Sequence, residues 1–241
     1  MTVISVLIIV LCFFVILSLY LILKIPELRN RNLELLETLI CVMEAGDPNL
    51  DGHSMHVCNI VSVFYEYLPG EYQRNIRPDD LKYAALLHDI GKLGIPREIY
   101  TKEGQLTRDE MLMIRNHPEI CVDIIEPIDF LSRIKDVILY HHERVDGCGY
   151  HSLSSEKIPL ASKMIAIADT YSALTMDRTY KPSMPYEEAI VELKQVAGTQ
   201  LDAKMVECFC NIPKYRLDDC ISKVHKITDR YREKHIGEYN R

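Results

Sequence analysis

Five histidines and two aspartates in this chain stand where they could bind and activate something together: His53, His88, Asp89, His117, His141, His142 and Asp169. Taken singly, each has an ordinary explanation. A lone histidine in a half-apolar helix is usually a hydrogen-bonded or surface residue, and the aspartate of ADTY would serve as a helix cap. Their settings change the reading. His88 and Asp89 end the apolar run AALL, with a glycine two residues beyond; burying a carboxylate there is costly unless a cation compensates it. His141 and His142 repeat the arrangement at the end of IKDVILY. Imidazoles mixed with carboxylates suit a first-row transition ion rather than calcium or magnesium. Seven donors exceed what one tetrahedral zinc can use. Two ions sharing a carboxylate would use them all, and such a pair activates water and clamps an in-line displacement at phosphorus.

The elements that must carry these residues read as helices. Apolar periodicity and stop signals predict helices over 25–46, 53–68, 78–90, 107–117, 131–142, 160–174 and 186–197, with a charged surface helix over 221–241. Alternating runs are short and hairpin dipeptides are missing. The fold class expected is therefore all-α, a bundle of roughly seven to nine helices. Leu28, Leu35 and Val42 mark a brief heptad, too short to predict a coiled coil.

Residues Thr2 to Leu23 run without a charge or a proline, and about 20 apolar residues suffice to cross a bilayer. A cleaved signal peptide would want a basic start, a shorter apolar run and a small-residue cleavage site. The sequence offers none of these, so the expectation is a transmembrane helix over 1–24. Lys24, Arg29 and Arg31 follow the span and no basic residue precedes it. Basic flanks stay inside, which places a single-pass protein in the cytoplasmic (inner) membrane with the remainder in the cytoplasm. Eight scattered cysteines fit a reducing compartment and form no disulfide framework. A net charge of −7 without a basic cluster argues against a nucleic-acid polymer as partner.

Several separated motifs carry a resemblance, and in the same order: DPNLDGHSMHV, AALLHDIGKLGIP, NHPEI, HHERVDGCGY, AIADTYSALTMDRTYKP and GTQLD. Together they resemble the HD-GYP subgroup of the HD-domain metal-dependent phosphohydrolases. The likeness spans about Asp47 to Phe209, and implies an all-helical metal-dependent phosphodiesterase acting on cyclic di-GMP, giving the linear dinucleotide and in some cases GMP. The organisation expected is an anchor over 1–24, a linker helix over 25–46, the phosphohydrolase domain over 47–212 and a charged tail over 213–241.

Carried over position by position, the resemblance implies that His53, His88, His117, His141, His142 and Asp169 are terminal ligands and that Asp89 bridges the ions. It implies two divalent transition-metal ions, iron or manganese. Lys92 matches a lysine that faces the scissile phosphate, where a positive charge stabilises developing anionic charge. Arg178 and Lys181 match a basic pair that holds phosphates, and Tyr150 belongs to the lip over the ligand. Partners consistent with this reading are the cyclic dinucleotide, a diguanylate-cyclase-type protein and a second copy of the chain. The alternatives are a phosphohydrolase for another cyclic dinucleotide or nucleotide, and a receptor or scaffold that binds without turnover.

Three departures stand out. His151 replaces the proline of the GYP tripeptide, which removes a fixed φ and is expected to loosen the lip. Ser172 stands where the subgroup has an aspartate expected to support the lysine and substrate side. Asn49 replaces a glutamate of three-metal members, which points to two ions.

Overall fold

The computed structural model describes residues 3–44, 52–100, 102, 104–177 and 183–235, with side chains to 229. Those residues hold no β-strand; one isolated bridge pairs Ala197 with Leu201. The described residues form three 3₁₀ segments and twelve α-helices. They are α1 (Val3–Glu44), α2 (His53–Glu66), α3 (Gly70–Gln73), α4 (Pro78–Leu87), α5 (Arg97–Tyr100), α6 (Arg108–Arg115), α7 (His117–Ile125), α8 (Lys135–Leu139), α9 (Leu160–Thr175), α10 (Tyr186–Gln195), α11 (Ala203–Cys210) and α12 (Lys214–His235).

The chain divides into two units, residues 1–39 and 40–241. In the first, α1 is long and apolar enough to cross a membrane by length and composition. Its apolar side chains from Val3 to Leu23 face outward. The helix continues past the apolar stretch without a break, with Pro26 inside it.

The second unit is built round α2, which lies against α4, α9 and α12. Helix α2 is buried on most of its surface, including Val57, Ile60, Val61 and Phe64. Phe64 meets Phe209 of α11 edge to face at 5.3 Å, and Phe209 also packs on Tyr171 of α9 at 5.3 Å. One aromatic from α11 thus ties two helices that carry candidate ligands. Helix α12 is not merely a charged surface element. Leu217, Cys220, Val224 and Thr228 recur at helical spacing and are buried.

Two glycines allow close approaches that no other residue would. A Cβ on Gly91 would lie 2.0 Å from the carbonyl oxygen of His117 and 2.8 Å from the amide of Cys121. Bare backbone lets the 3₁₀ turn Ile90–Gly94 lie directly on α7. There the Gly91 N–H donates to Cys121 Sγ at 3.0 Å, and the Cys121 thiol donates to the His88 carbonyl at 3.0 Å. A Cβ on Gly149 would lie 2.6 Å from Glu143 Cα, so the lip folds back over the turn that follows α8.

Candidate metal centre

Each candidate residue sits at a helix end or on a helix face that turns inward. His53 opens α2, His88 follows α4, His117 opens α7, His141 and His142 follow α8, and Asp169 lies within α9. The five helices converge there, and the side chains of His53, His88, Asp89, His117 and His141 are buried.

Three imidazoles are held by one repeated device. Nδ1 of His88, His117 and His141 lies 2.7, 2.8 and 2.6 Å from the carbonyl three residues earlier, of Ala85, Ile114 and Ile138. A carbonyl only accepts, so each Nδ1 carries the proton and each Nε2 presents a bare lone pair. The Nε2 atoms of His117 and His141 then face each other at 3.4 Å. Two lone pairs at that distance repel unless a cation lies between them. The Nε2 of His88 and Oδ1 of Asp89 are likewise buried without a hydrogen-bond partner among the described residues, an arrangement that is costly unless something is bound.

Donor atoms fall into two groups that could each hold an ion: Asp89, His117, His141 and His142 in one, and His53, His88 and Asp89 in the other. Asp89 belongs to both, as a bridging carboxylate must. Asp169 lies in neither group, but its Oδ1 is 3.1 Å from His53 Nε2. These residues fit a pair of transition ions in number, donor type and protonation.

Electrostatics favours the ligand forms. Burial would push Asp89 up, but the Lys92 ammonium against it, the largest opposing charge, holds its carboxyl well below the usual range. Burial likewise would raise Asp169, and the hydrogen bond from His53 outweighs it. Burial lowers His117 and lowers His141 strongly, and brings His142 down to about 4. Neutral imidazoles are what metal binding requires.

Lys92 Nζ lies 2.5 Å from Asp89 Oδ2, so the candidate phosphate lysine here neutralises the candidate bridging carboxylate. Tyr150 lies beside His142, ring centroids 4.7 Å apart, and the Arg115 guanidinium lies over the Tyr150 ring at 5.2 Å. Arg115, His142 and Tyr150 line a cleft of about 720 Å³ with Arg144, Asp169, Thr170 and Gln200. Arg178, Lys181 and Asn49 lie outside the described residues.

Several participants went unread in the sequence. Arg115 lines the cleft, and its position two residues before His117 was the available signal. Glu143 is buried and clamps the lip, its carboxylate accepting from His151 N–H at 2.5 Å and Leu153 N–H at 2.7 Å. The expected loosening at His151 is therefore opposed by two charge-assisted bonds. His151 joins neither donor group; its Nε2 lies 3.5 Å from Glu119 Oε1. Ser172 contacts two imidazoles and a thioether. Its hydroxyl lies 3.0 Å from Nδ1 of both His53 and His56.

This helical scaffold and its histidine–aspartate cluster define an HD domain. The HD domain family matches residues 53–205, and the chain belongs to that family. Within it the chain is a member of the HD-GYP subgroup. A protein of Vibrio cholerae named cyclic di-GMP phosphodiesterase is 33% identical over 185 residues, covering 71% of this chain and 38% of that protein. A 3′3′-cGAMP-specific phosphodiesterase of the same organism is 31% identical over 187 residues, covering 75% of this chain and 35% of that protein. The chain thus spans well under half the length of these curated relatives. The solved structure of a cyclic GMP-AMP-specific phosphodiesterase of V. cholerae superposes with a TM-score of 0.59 at 18% identity, covering 81% of this chain and 52% of that one. That likeness shows the fold.

Proposed function

We propose that the chain is a metal-dependent phosphodiesterase that opens cyclic di-GMP to the linear dinucleotide, with GMP as a further product. The observation that carries this reading is the pair of facing, unprotonated Nε2 atoms of His117 and His141 beside the orphaned Nε2 of His88 and Oδ1 of Asp89. His53, His88 and Asp169 would hold one ion, His117, His141 and His142 the other, and Asp89 both. The ions, iron or manganese, would supply Lewis acidity and activate water at neutral pH.

The protein's own contribution is charge and position. Lys92, whose ammonium lies against Asp89, would direct its positive charge at the oxygens of the scissile phosphate, where it stabilises developing anionic charge. Arg115, backed by the Tyr150 ring, presents a guanidinium to the cleft, where its planar fork suits a phosphate. Arg178 and Lys181 are proposed to hold phosphates as well. Cyclic di-GMP is favoured because relatives carrying that name recur among those that match this chain, while the 3′3′-cGAMP-specific relative keeps a mixed dinucleotide as the second reading. The apolar α1 with its basic flank supports a single-pass protein of the cytoplasmic membrane with the domain in the cytoplasm.

The test is hydrolysis of cyclic di-GMP and 3′3′-cGAMP by the manganese- or iron-loaded full chain, beside Asp89→Ala. The expected result is faster turnover of cyclic di-GMP and loss of both metal and activity in the variant. Tight nucleotide binding without turnover in the wild type would overturn the enzyme reading in favour of a receptor.

A further inference from the structure

His53 and His56 stand one turn apart on α2, and both turn Nδ1 toward one hydroxyl. Ser172 Oγ, on α9, lies 3.0 Å from each. All three side chains are buried, at 2%, 1% and 0% exposure. A hydroxyl has one proton to donate and lone pairs to accept, so it can receive from one imidazole while giving to the other.

The direction follows from the other nitrogen of His53. Its Nε2 faces Asp169 Oδ1 at 3.1 Å and Asp89 Oδ2 at 3.7 Å. As a metal ligand this Nε2 must be bare, which puts the ring proton on Nδ1 and makes His53 donate to Ser172. Ser172 then donates to Nδ1 of His56, and the His56 proton sits on Nε2. With no ion bound, the order reverses: His53 Nε2–H donates to Asp169 and its Nδ1 accepts from Ser172. An ionised carboxylate at position 172 could only accept; the hydroxyl serves both states. Met176 Sδ, 3.3 Å from Ser172 Oγ, is a weaker acceptor and not a substitute for an imidazole nitrogen.

We propose that Ser172 and His56 are positioning residues, a reversible hydrogen-bond relay that sets the ring orientation and tautomer of His53 as metal enters and leaves. The inference rests on the metal-centre reading above. It accounts for His56, which joins neither donor group and whose Nε2 is buried without a hydrogen-bond partner among the described residues. An apolar side chain would fill that space without leaving a polar atom idle. Outer partners of this kind orient a ligand imidazole and raise metal affinity.

The test uses the full chain in detergent micelles with Zn²⁺ as the probe. Ser172→Ala is expected to weaken Zn²⁺ binding on the order of 10–100-fold, and also to lower the unfolding midpoint of the metal-free protein, where the same hydroxyl bonds both rings. In ¹⁵N-histidine spectra of the zinc-loaded wild type, His53 should carry its proton on Nδ1 and His56 on Nε2. Zinc affinity unchanged in Ser172→Ala, or a His56 proton on Nδ1 in the zinc-loaded wild type, would overturn the relay. Failure of the wild type to bind zinc, manganese or iron at all would instead overturn the metal centre.

Discussion

Neutral, buried imidazoles have a consequence that can be measured one residue at a time. Burial takes His56 from the usual 6.5 down to about 3 and His142 down to about 4. Their folded values lie below the unfolded one, so the unfolded chain binds protons first as pH falls. The stability they contribute is therefore fully present above about 6.5 and drains away as pH drops toward 4 and then 3. His117 and His141 shift in the same direction and steepen the slope. Chemical-denaturation midpoints of the metal-free protein should fall steadily below about pH 6.5, and saturating manganese should move the decline to lower pH because ions compete with protons. A flat profile between pH 6.5 and 4 would show that these rings are not buried and neutral as described.

At the scale of elements, positions that meet across a gap decide whether the donors converge. Gly91→Ala would drive a methyl into the backbone of His117 and Cys121, atoms that cannot rotate aside. Helix α7 must then lift off the 3₁₀ turn, at a cost of about 3 kcal/mol or more, carrying His117 away from Asp89. Gly94→Ala is the control, because its methyl would meet only the flexible Ile120 side chain at 3.0 Å. Midpoint and manganese content should both drop for Gly91→Ala and much less for Gly94→Ala; equal losses would remove the contact from the argument. This contact also marks where sequence reading stopped. The seven candidate residues, and the helices beginning at His53, Pro78, Leu160 and Tyr186, could be picked out locally, since clustered polar types, periodicity and Pro at a helix start are local signals. Helix α7 was missed because the expected 107–117 helix breaks at Asn116 and restarts at His117. The stretch expected as one helix over 131–142 is a 3₁₀ segment followed by the five-residue α8. Glu143 and His56 were invisible, and Ser172 stood out only as a departure, for a different reason: their partners are 8 to 119 residues away, and no local pattern records such a pairing.

For the whole molecule, the informative boundary is where the second unit begins. The motifs suggest a domain starting at residue 47, yet Ile40, Cys41 and Glu44, on the last turns of α1, are buried within the unit that starts at residue 40. Ile40 alone is 3% exposed, and burying such a side chain contributes about 2 kcal/mol. Glu44 Oε1 accepts the Ser54 N–H at 3.0 Å, satisfying an amide in the first turn of the helix that carries His53. Burial raises the Glu44 carboxyl to about 7, and the bond needs only an acceptor oxygen, so it survives in either protonation state. A fragment 47–241 removes all of this, whereas 40–241 keeps it and sheds the apolar stretch. Fractionation should leave the full chain with membranes and both fragments in the supernatant. Of the two, 40–241 should unfold at a denaturant concentration higher by the equivalent of about 2 kcal/mol and bind manganese more tightly, since the first turn of α2 positions a ligand. If the shorter fragment matched it in both, the end of α1 would be a tether only, and motion in that helix would have no route to the metal centre through Glu44.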